Sequence, residues 1–357
     1  MANTEYNFWS RLTHRFALQS RAVAEVSFDI ENATVSKKKF HIHEKHVFVS
    51  GLARSGTTML MRYLYETGTF RSLTYLDMPF VLMPNTWKKI ASPKISNEYR
   101  ERAHKDGIMV GFDSPEAFEE VFWRVFTGHR YIKTDRLNLY SIGKDVLKKY
   151  QDYINNILVS GNSVAQTRYL SKNNNNILRL NYINECFPHA FIIIPFRDPL
   201  QHALSLLNQH VHFSKTQSHD KFSLDYMNWL GHFEFGLNQK PFYLNDEETF
   251  NRMKQYDKTD LNFWLLSWLN YYKYINGAEA RNTIFFNYEK FCEAPSDVLA
   301  KLFQIIDVKH PIAVLPSFNP VSKPAREFDA ALLGECMFFY NKLNKKFGHW
   351  FADNPAN

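Results

Sequence analysis

The stretch His46-Val47-Phe48-Val49-Ser50-Gly51-Leu52-Ala53-Arg54-Ser55-Gly56-Thr57-Thr58-Met59-Leu60 decides the fold. An apolar run of strand length stops at a glycine, and a short loop with a second glycine follows. Met59, Leu60, Tyr63 and Leu64 then recur at helical spacing. The order is a buried strand, a tight loop and a helix. Two further runs, Phe191-Ile192-Ile193-Ile194 and Thr283-Ile284-Phe285-Phe286, read as buried strands of the same kind. Strands separated by helical patterns predict an α/β protein: a central parallel sheet flanked by helices, with helical insertions.

Working outward, Phe8, Leu12 and Phe16 predict one or two helices within an N-terminal segment, residues 1–40. Ser114-Pro115 reads as a helix start, and residues 144–160 as an amphipathic helix or a strand-ended segment. Asn176 to Glu185 is helical in pattern. Arg197-Asp198-Pro199 opens another helix, with Asp198 as N-cap and Pro199 at the first helical position. Residues 210–258 lack periodicity and are expected to form a lid or insertion. Apolar faces from Leu261 to Ile275 and from Phe328 to Phe347, and a start at Pro295, predict three more helices. With 13 glycines, 14 prolines and no Gly/Ser- or Pro-rich linker, residues 1–357 are expected to be a single domain.

Composition narrows the function classes. Apolar residues make 45% of the chain and charged residues 22%, which excludes disorder and low-complexity fibres. The net charge of +7 is dispersed apart from Lys37-Lys38-Lys39, unlike the stripe or arm of a nucleic-acid binder. Cys186, Cys292 and Cys336 have no CxxC spacing, so reduced thiols are expected and neither a zinc site nor a disulfide framework. Charged residues interrupt the apolar ones from Met1 to Arg21, and the longest apolar run is Phe191 to Phe196. Neither a signal peptide nor a membrane span is expected, which leaves a cytoplasmic protein or one whose native membrane anchor has been removed, the first being the expectation. The oligomeric state is not readable.

The loop has the geometry of a phosphate cradle. Gly51 and Gly56 let the backbone turn tightly and bring N–H groups to an anion, and the following helix adds its positive end. Thr57 and Thr58 add hydroxyls. The glycine spacing matches an NTPase P-loop, but that motif needs a lysine after the second glycine, where Thr57 stands. The cation, Arg54, sits inside the loop instead.

Arg54-Ser55-Gly56-Thr57-Thr58 resembles the 5′-phosphosulfate loop of the sulfotransferases that use 3′-phosphoadenosine 5′-phosphosulfate (PAPS), in the arginine-loop branch that includes bacterial carbohydrate and protein-tyrosine enzymes. Arg197 at a strand end and Ser205 eight residues on are similar to that family's 3′-phosphate pair. Tyr169-Leu170-Ser171-Lys172-Asn173 resembles the segment whose lysine lies near the sulfuryl group. Asn287-Tyr288-Glu289 resembles the strand-ending Tyr-Glu pair, whose tyrosine reaches the 3′-phosphate. Ser322-Lys323-Pro324 resembles a late loop that closes over the nucleotide.

The resemblance implies a P-loop-type sheet and sulfuryl transfer from PAPS, without a metal, to a hydroxyl or amine of a glycan or small metabolite. It also implies nucleotide contacts from Gly51, Arg54, Ser55, Gly56, Thr57, Thr58, Arg197, Ser205, Tyr288 and Lys323, with Arg54 and Lys172 stabilising the transferring group. The family's base is a Glu about twenty residues beyond the loop. The carboxylate in that stretch is Asp77, 23 residues after Arg54, and it is the expected base. Glu116, Glu119, Glu120, His104 and His129 are alternatives, and Tyr75, Trp87, Trp123 and Tyr131 are candidates for an acceptor groove. Two other readings stay open: a P-loop nucleotide or small-molecule kinase, and a catalytically inactive relative that only binds.

Overall fold

The computed structural model describes residues 8–35, 45–91, 100–101, 109–110, 113–161, 167–278, 280–311, 315 and 326–351. At its centre is a parallel five-stranded sheet. The strands, in chain order, are β1 Val47–Val49, β2 Phe70–Arg71, β3 Arg100–Glu101, β4 Met109–Val110, β5 Leu137–Asn138, β6 Arg168–Lys172, β7 Phe191–Phe196, β8 Phe242–Tyr243 and β9 Thr283–Asn287. The central sheet runs β2-β6-β1-β7-β9, while β3 pairs with β4 and β5 with β8. The alternation of strand and helix therefore yields the expected α/β architecture.

The register explains why these runs are strands. Val49 lies opposite both Lys172 on β6 and Ile193 on β7, and Phe196 lies opposite Asn287 on β9. Val47, Val49, Leu170, Ile193, Ile284 and Phe286 feed one core, and Phe48, Tyr169, Ile192, Ile194 and Phe285 feed the other. β1 is fully buried on both faces, which is why it reads as a continuous apolar run rather than an alternation.

Because the sheet is parallel, the loop after β1, Lys172 at the end of β6, Arg197 after β7 and Tyr288 after β9 all emerge at the same edge. That C-terminal edge is where open α/β sheets hold their ligands.

Helices Phe8–Gln19 and Arg21–Thr34 fill the described part of the N-terminal segment. Lys144–Val159 is a helix throughout. Pro295–Ile305 starts where expected, and the last helix, Ala330–Phe351, begins after Phe328. The Asp198 side chain accepts from Gln201 N at 2.9 Å, with Pro199 at the first position of the helix Pro199–His219.

Four local expectations change. Arg168–Lys172, which overlaps the segment read only for its lysine, is a central strand. Its arginine and lysine hide the apolar signal, yet all five residues are buried. Asn176 to Glu185, expected as one helix, divides into a 3-10 turn, Asn174–Leu178, and the helix Leu180–Cys186.

Ser114-Pro115 does not start a helix. Glu116 N bonds Leu73 O at 3.1 Å and Pro115 bridges Thr74, so this stretch is tied to residues 73–74, and the helix begins at Glu120. Residues 210–258 are largely helical: the helix from Pro199 runs on to His219, and Lys221–Trp229 and Glu247–Met253 follow. Phe213, Met227, Trp229, Phe233 and Phe235 from this stretch pack in the main core, which an irregular insertion would not do.

Candidate functional site

The loop after β1 is shaped by its two glycines. A Cβ on Gly51 would lie 2.7 Å from Ser55 Oγ and 2.8 Å from Thr57 Cγ2, so the turn closes only without one. Gly56 has φ +94°, and a Cβ there would meet the Tyr288 ring at 2.8 Å. Gly56 is the N-cap of the helix Thr57–Glu66, and no side chain caps that end, so its first N–H groups face the loop. Arg54 itself adopts φ +70°, a left-handed conformation held by its surroundings. Ser55, Thr57 and Thr58 are buried in the turn.

Arg54 Nε donates to Ser205 Oγ at 3.3 Å, which joins the loop to the helix Pro199–His219. One turn before Ser205 on that helix, His202 is fully buried and its Nε2 lies 2.7 Å from Ala53 O. Burial pushes the His202 pKa down to about 3, so the ring is neutral and donates from Nε2 to the carbonyl. This histidine buttresses the loop from below. Sequence reasoning passed over it, although its spacing of three from Ser205 places both on one helical face.

Arg197 is half-buried at the end of β7. Its guanidinium lies 4.9 Å over the Tyr288 ring, and Nε is 3.9 Å from Glu289 Oε1. Among the described residues that Nε has no hydrogen-bond partner. Glu289 Oε1 also accepts from Asp198 N at 3.0 Å, and Oε2 from Tyr340 Oη at 3.2 Å. Burial raises the Glu289 pKa, and it pushes the Tyr288 hydroxyl up to about 12, so the phenol remains protonated at neutral pH. Trp268 Nε1 donates to Arg197 O at 3.2 Å and Tyr272 Oη to Pro195 O at 2.8 Å, fixing the backbone from which Arg197 projects. Gly51, Arg54, Ser55, Gly56, Thr57, Thr58, Lys172, Arg197, Ser205 and Tyr288 are thus at one sheet edge. Lys323 lies outside the described residues, as does His104.

The expected carboxylates have distinct surroundings. Asp77 is 5% exposed and accepts from Arg71 Nη2 at 2.8 and 3.0 Å, from Thr74 N at 2.7 Å and from Thr74 Oγ at 3.1 Å. It closes a capping box on the turn Tyr75–Asp77 and holds a buried ion pair. Glu119 accepts from Tyr169 Oη at 2.9 Å and Trp123 Nε1 at 3.2 Å. Glu120 takes both arms of Arg179 at 2.7 and 2.9 Å and Asn173 Nδ2 at 2.7 Å. Glu116 is half-buried, with Oε2 on the Tyr75 hydroxyl at 3.3 Å and Oε1 on Ala117 N at 2.9 Å.

The aromatic candidates divide as well. Trp123 and Tyr131 are core residues flanking the Arg179 guanidinium at 4.7 and 5.3 Å, and so do not line an open groove. Trp87 packs on Phe80 at 4.9 Å, while half-buried Tyr75 bonds Glu116. His129 is lowered by burial and by Arg124. Among the described residues, no group of three or more His, Cys, Asp or Glu could hold a metal ion, and no helix is long and apolar enough to cross a membrane.

Residues 46–239 match the sulfotransferase family. The crystal structure of sulfotransferase STF1 from Mycobacterium tuberculosis H37Rv is similar at 11% identity and TM-score 0.43, over 95% of this chain and 85% of that one. Sulfotransferase STF9 from Mycobacterium avium is similar at 14% identity and TM-score 0.43, over 97% and 75%. The sulfotransferase from Alicyclobacillus acidocaldarius gives 12% and 0.39, over 87% and 96%. No curated protein matches the sequence.

Proposed function

The chain belongs to the sulfotransferase family, and from that premise we propose that it transfers the sulfuryl group of PAPS in line to a hydroxyl or amine of a glycan or small metabolite. The observation that carries this reading is the 3.3 Å hydrogen bond from Arg54 to Ser205. It joins the loop after β1 to the helix that follows β7, which supports reading the two as halves of one anion site, suited to a nucleotide with phosphate-type groups at both ends.

The residues present fit such a nucleotide. Gly51 and Gly56 leave a cradle that a Cβ would fill, the uncapped helix end offers N–H groups, and Arg197 Nε, 3.9 Å from Glu289, makes no hydrogen bond among the described residues. When bound, PAPS supplies an activated sulfuryl group and an anionic leaving group. In this reading the loop N–H groups and Arg54 hold the 5′ end, and Arg197, Ser205 and Tyr288 hold the 3′-phosphate. Lys172 balances charge developing on the leaving oxygen. Thr57 in the place of the P-loop lysine disfavours ATP with magnesium.

We assign the acceptor's proton to Glu116. Asp77 has both oxygens engaged by Arg71 and the cap, while Glu119 and Glu120 are fully buried in pairs of their own. Glu116 is only half-buried, so of these four carboxylates it is the one open to an acceptor, and its Oε2 lies on the Tyr75 hydroxyl at 3.3 Å. Asp77 then serves as a positioning residue for the segment that carries Tyr75.

Thermal melting with 3′,5′-ADP and, separately, ATP with magnesium tests the nucleotide. Stabilisation by 3′,5′-ADP alone is the expected result. Equal effects from both, or none from either, would sink the reading, and transfer from labelled donor to an acceptor pool separates the enzyme from a binding-only relative.

A further inference from the structure

The segment from Gly231 to Pro241 is fastened to the residues that follow Lys172 on β6. Asn174 Nδ2 donates to Glu234 Oε1 at 2.8 Å and Asn175 Nδ2 to Gly231 O at 3.0 Å. Residues 236–241 of that segment wall a cavity of about 580 Å³, together with the helix Pro199–His219 and the turn after the helix Glu247–Met253. Sites that hold a whole small molecule have volumes of roughly 300–1,000 Å³. The helix Pro199–His219 contributes His210, five residues beyond Ser205 and so about 7.5 Å further along the axis.

Three cations line this cavity, Lys240, Lys254 and Lys258. Lys240 donates from Nζ to Thr134 O, Lys258 donates to Gln239 O at 2.6 Å, and Lys254 lies 4.6 Å over the Phe250 ring. None of the three makes an ion pair among the described residues. Asp135 and Asp257 belong to the same wall but are engaged elsewhere. Asp257 Oδ1 accepts from Thr259 N at 2.8 Å and from Thr259 Oγ1 at 2.7 Å, and Asp135 lies 3.7 Å from Arg136 Nη1.

Lys240 and Lys258 are half-buried. Burial lowers the pKa of both, and the charge on Lys240 lowers that of Lys258 further. An anion between the two ammoniums replaces their lost water and relieves their repulsion. His210 Nδ1 accepts from Gly236 N at 3.3 Å, so its proton is on Nε2. Burial takes the His210 pKa down to about 4, which makes the ring a neutral donor at neutral pH. The rest of the wall is apolar: Phe250, Met253 and Phe263 are buried, and Leu237 is 53% exposed. A bare inorganic ion would leave these side chains uncovered.

We propose that this cavity is a second anion site, one that takes a small organic anion. Its sulfonate- or carboxylate-type head lies between the Lys240 and Lys258 ammoniums, and its apolar or aromatic body covers Phe250, Met253 and Phe263. Occupancy does not depend on a nucleotide in the loop after β1.

Acetic anhydride labelling of the full chain, mapped by mass spectrometry, reads Lys240 and Lys258 individually, with the exposed Lys148 and Lys221 as references. The probes are benzenesulfonate, benzenesulfonamide as its neutral match, and sodium sulfate at equal ionic strength. Benzenesulfonate should slow labelling of Lys240 and Lys258 several-fold, leave the references unchanged, and do so equally with 3′,5′-ADP at saturation. Benzenesulfonamide and sulfate should give no such protection. In Lys258→Gln the protection of Lys240 should be lost at an unchanged melting temperature; if that variant does not fold, labelling of the unaltered chain decides alone.

No protection by benzenesulfonate, or equal protection by the sulfonamide or by sulfate, overturns the proposal. So does protection that 3′,5′-ADP removes or reproduces, and so does full protection of Lys240 in folded Lys258→Gln.

Discussion

Arg54 Nε donates to Ser205 Oγ at 3.3 Å across 151 residues of sequence, and this bond helps tie the loop after β1 to the helix after β7. Arg54 holds a left-handed backbone, φ +70°, and His202 supports the preceding carbonyl from the same helix. The loop's shape is therefore set from outside the loop.

Arg54→Ala and Arg197→Ala should each weaken 3′,5′-ADP binding about 10- to 100-fold, the size of one lost charged hydrogen bond. Arg197→Lys should recover little, because an ammonium cannot fork onto two oxygens or lie flat over Tyr288 as the guanidinium does at 4.9 Å. Titration calorimetry with 3′,5′-ADP measures all three. Full affinity in Arg197→Ala would remove that residue from the site.

Glu116→Gln and Asp77→Asn should fail in different ways. The first should lower kcat by about 10²-fold or more with KM and melting temperature little changed, as for loss of a general base. The second leaves Arg71 buried with a neutral partner, which should cost about 3 kcal/mol or more of stability. Urea unfolding alongside steady-state kinetics separates them. The reverse pattern would return the base to Asp77.

Gly56→Ala combines a strained backbone with a clash. An alanine at φ +94° costs about 1–2 kcal/mol, and its Cβ would press on the Tyr288 ring. Adding Tyr288→Ala should relieve the clash and leave the backbone cost. A double-mutant cycle on unfolding free energy checks this, and strict additivity would show that the ring and the loop are not in contact.

His202 should make stability depend on acid. Its pKa is about 3 when folded and near 6.5 when unfolded, so between these values the unfolded chain binds the extra proton. The contribution is complete above about pH 6.5 and is lost as pH falls toward 3, about 2–3 kcal/mol of it between pH 7.5 and 4.5. The pH dependence should flatten by that amount in His202→Gln. An unchanged slope would mean that this ring does not titrate on unfolding.

The amino-acid sequence by itself determined the alternation of buried strands and helices, the glycine loop with its internal arginine, and the cap at Asp198. Each of these is a local pattern: apolar runs of strand length, residues forced to turn, and a proline where a helix begins. Three buried runs sufficed to identify the parallel sheet, since β1, β7 and β9 carry no charge.

Only the tertiary structure decided the rest. β6 stayed hidden because Arg168 and Lys172 break its apolar run, although both are buried once their polar ends reach the strand ends. The partners of Glu119 and Glu120 are invisible in one dimension: a carboxylate's role depends on whether an arginine or a phenol meets it, here Arg179 and Tyr169 from tens of residues away. Periodicity determines which residues are buried, but long-range packing decides what each buried polar atom touches, and that contact determines its chemistry.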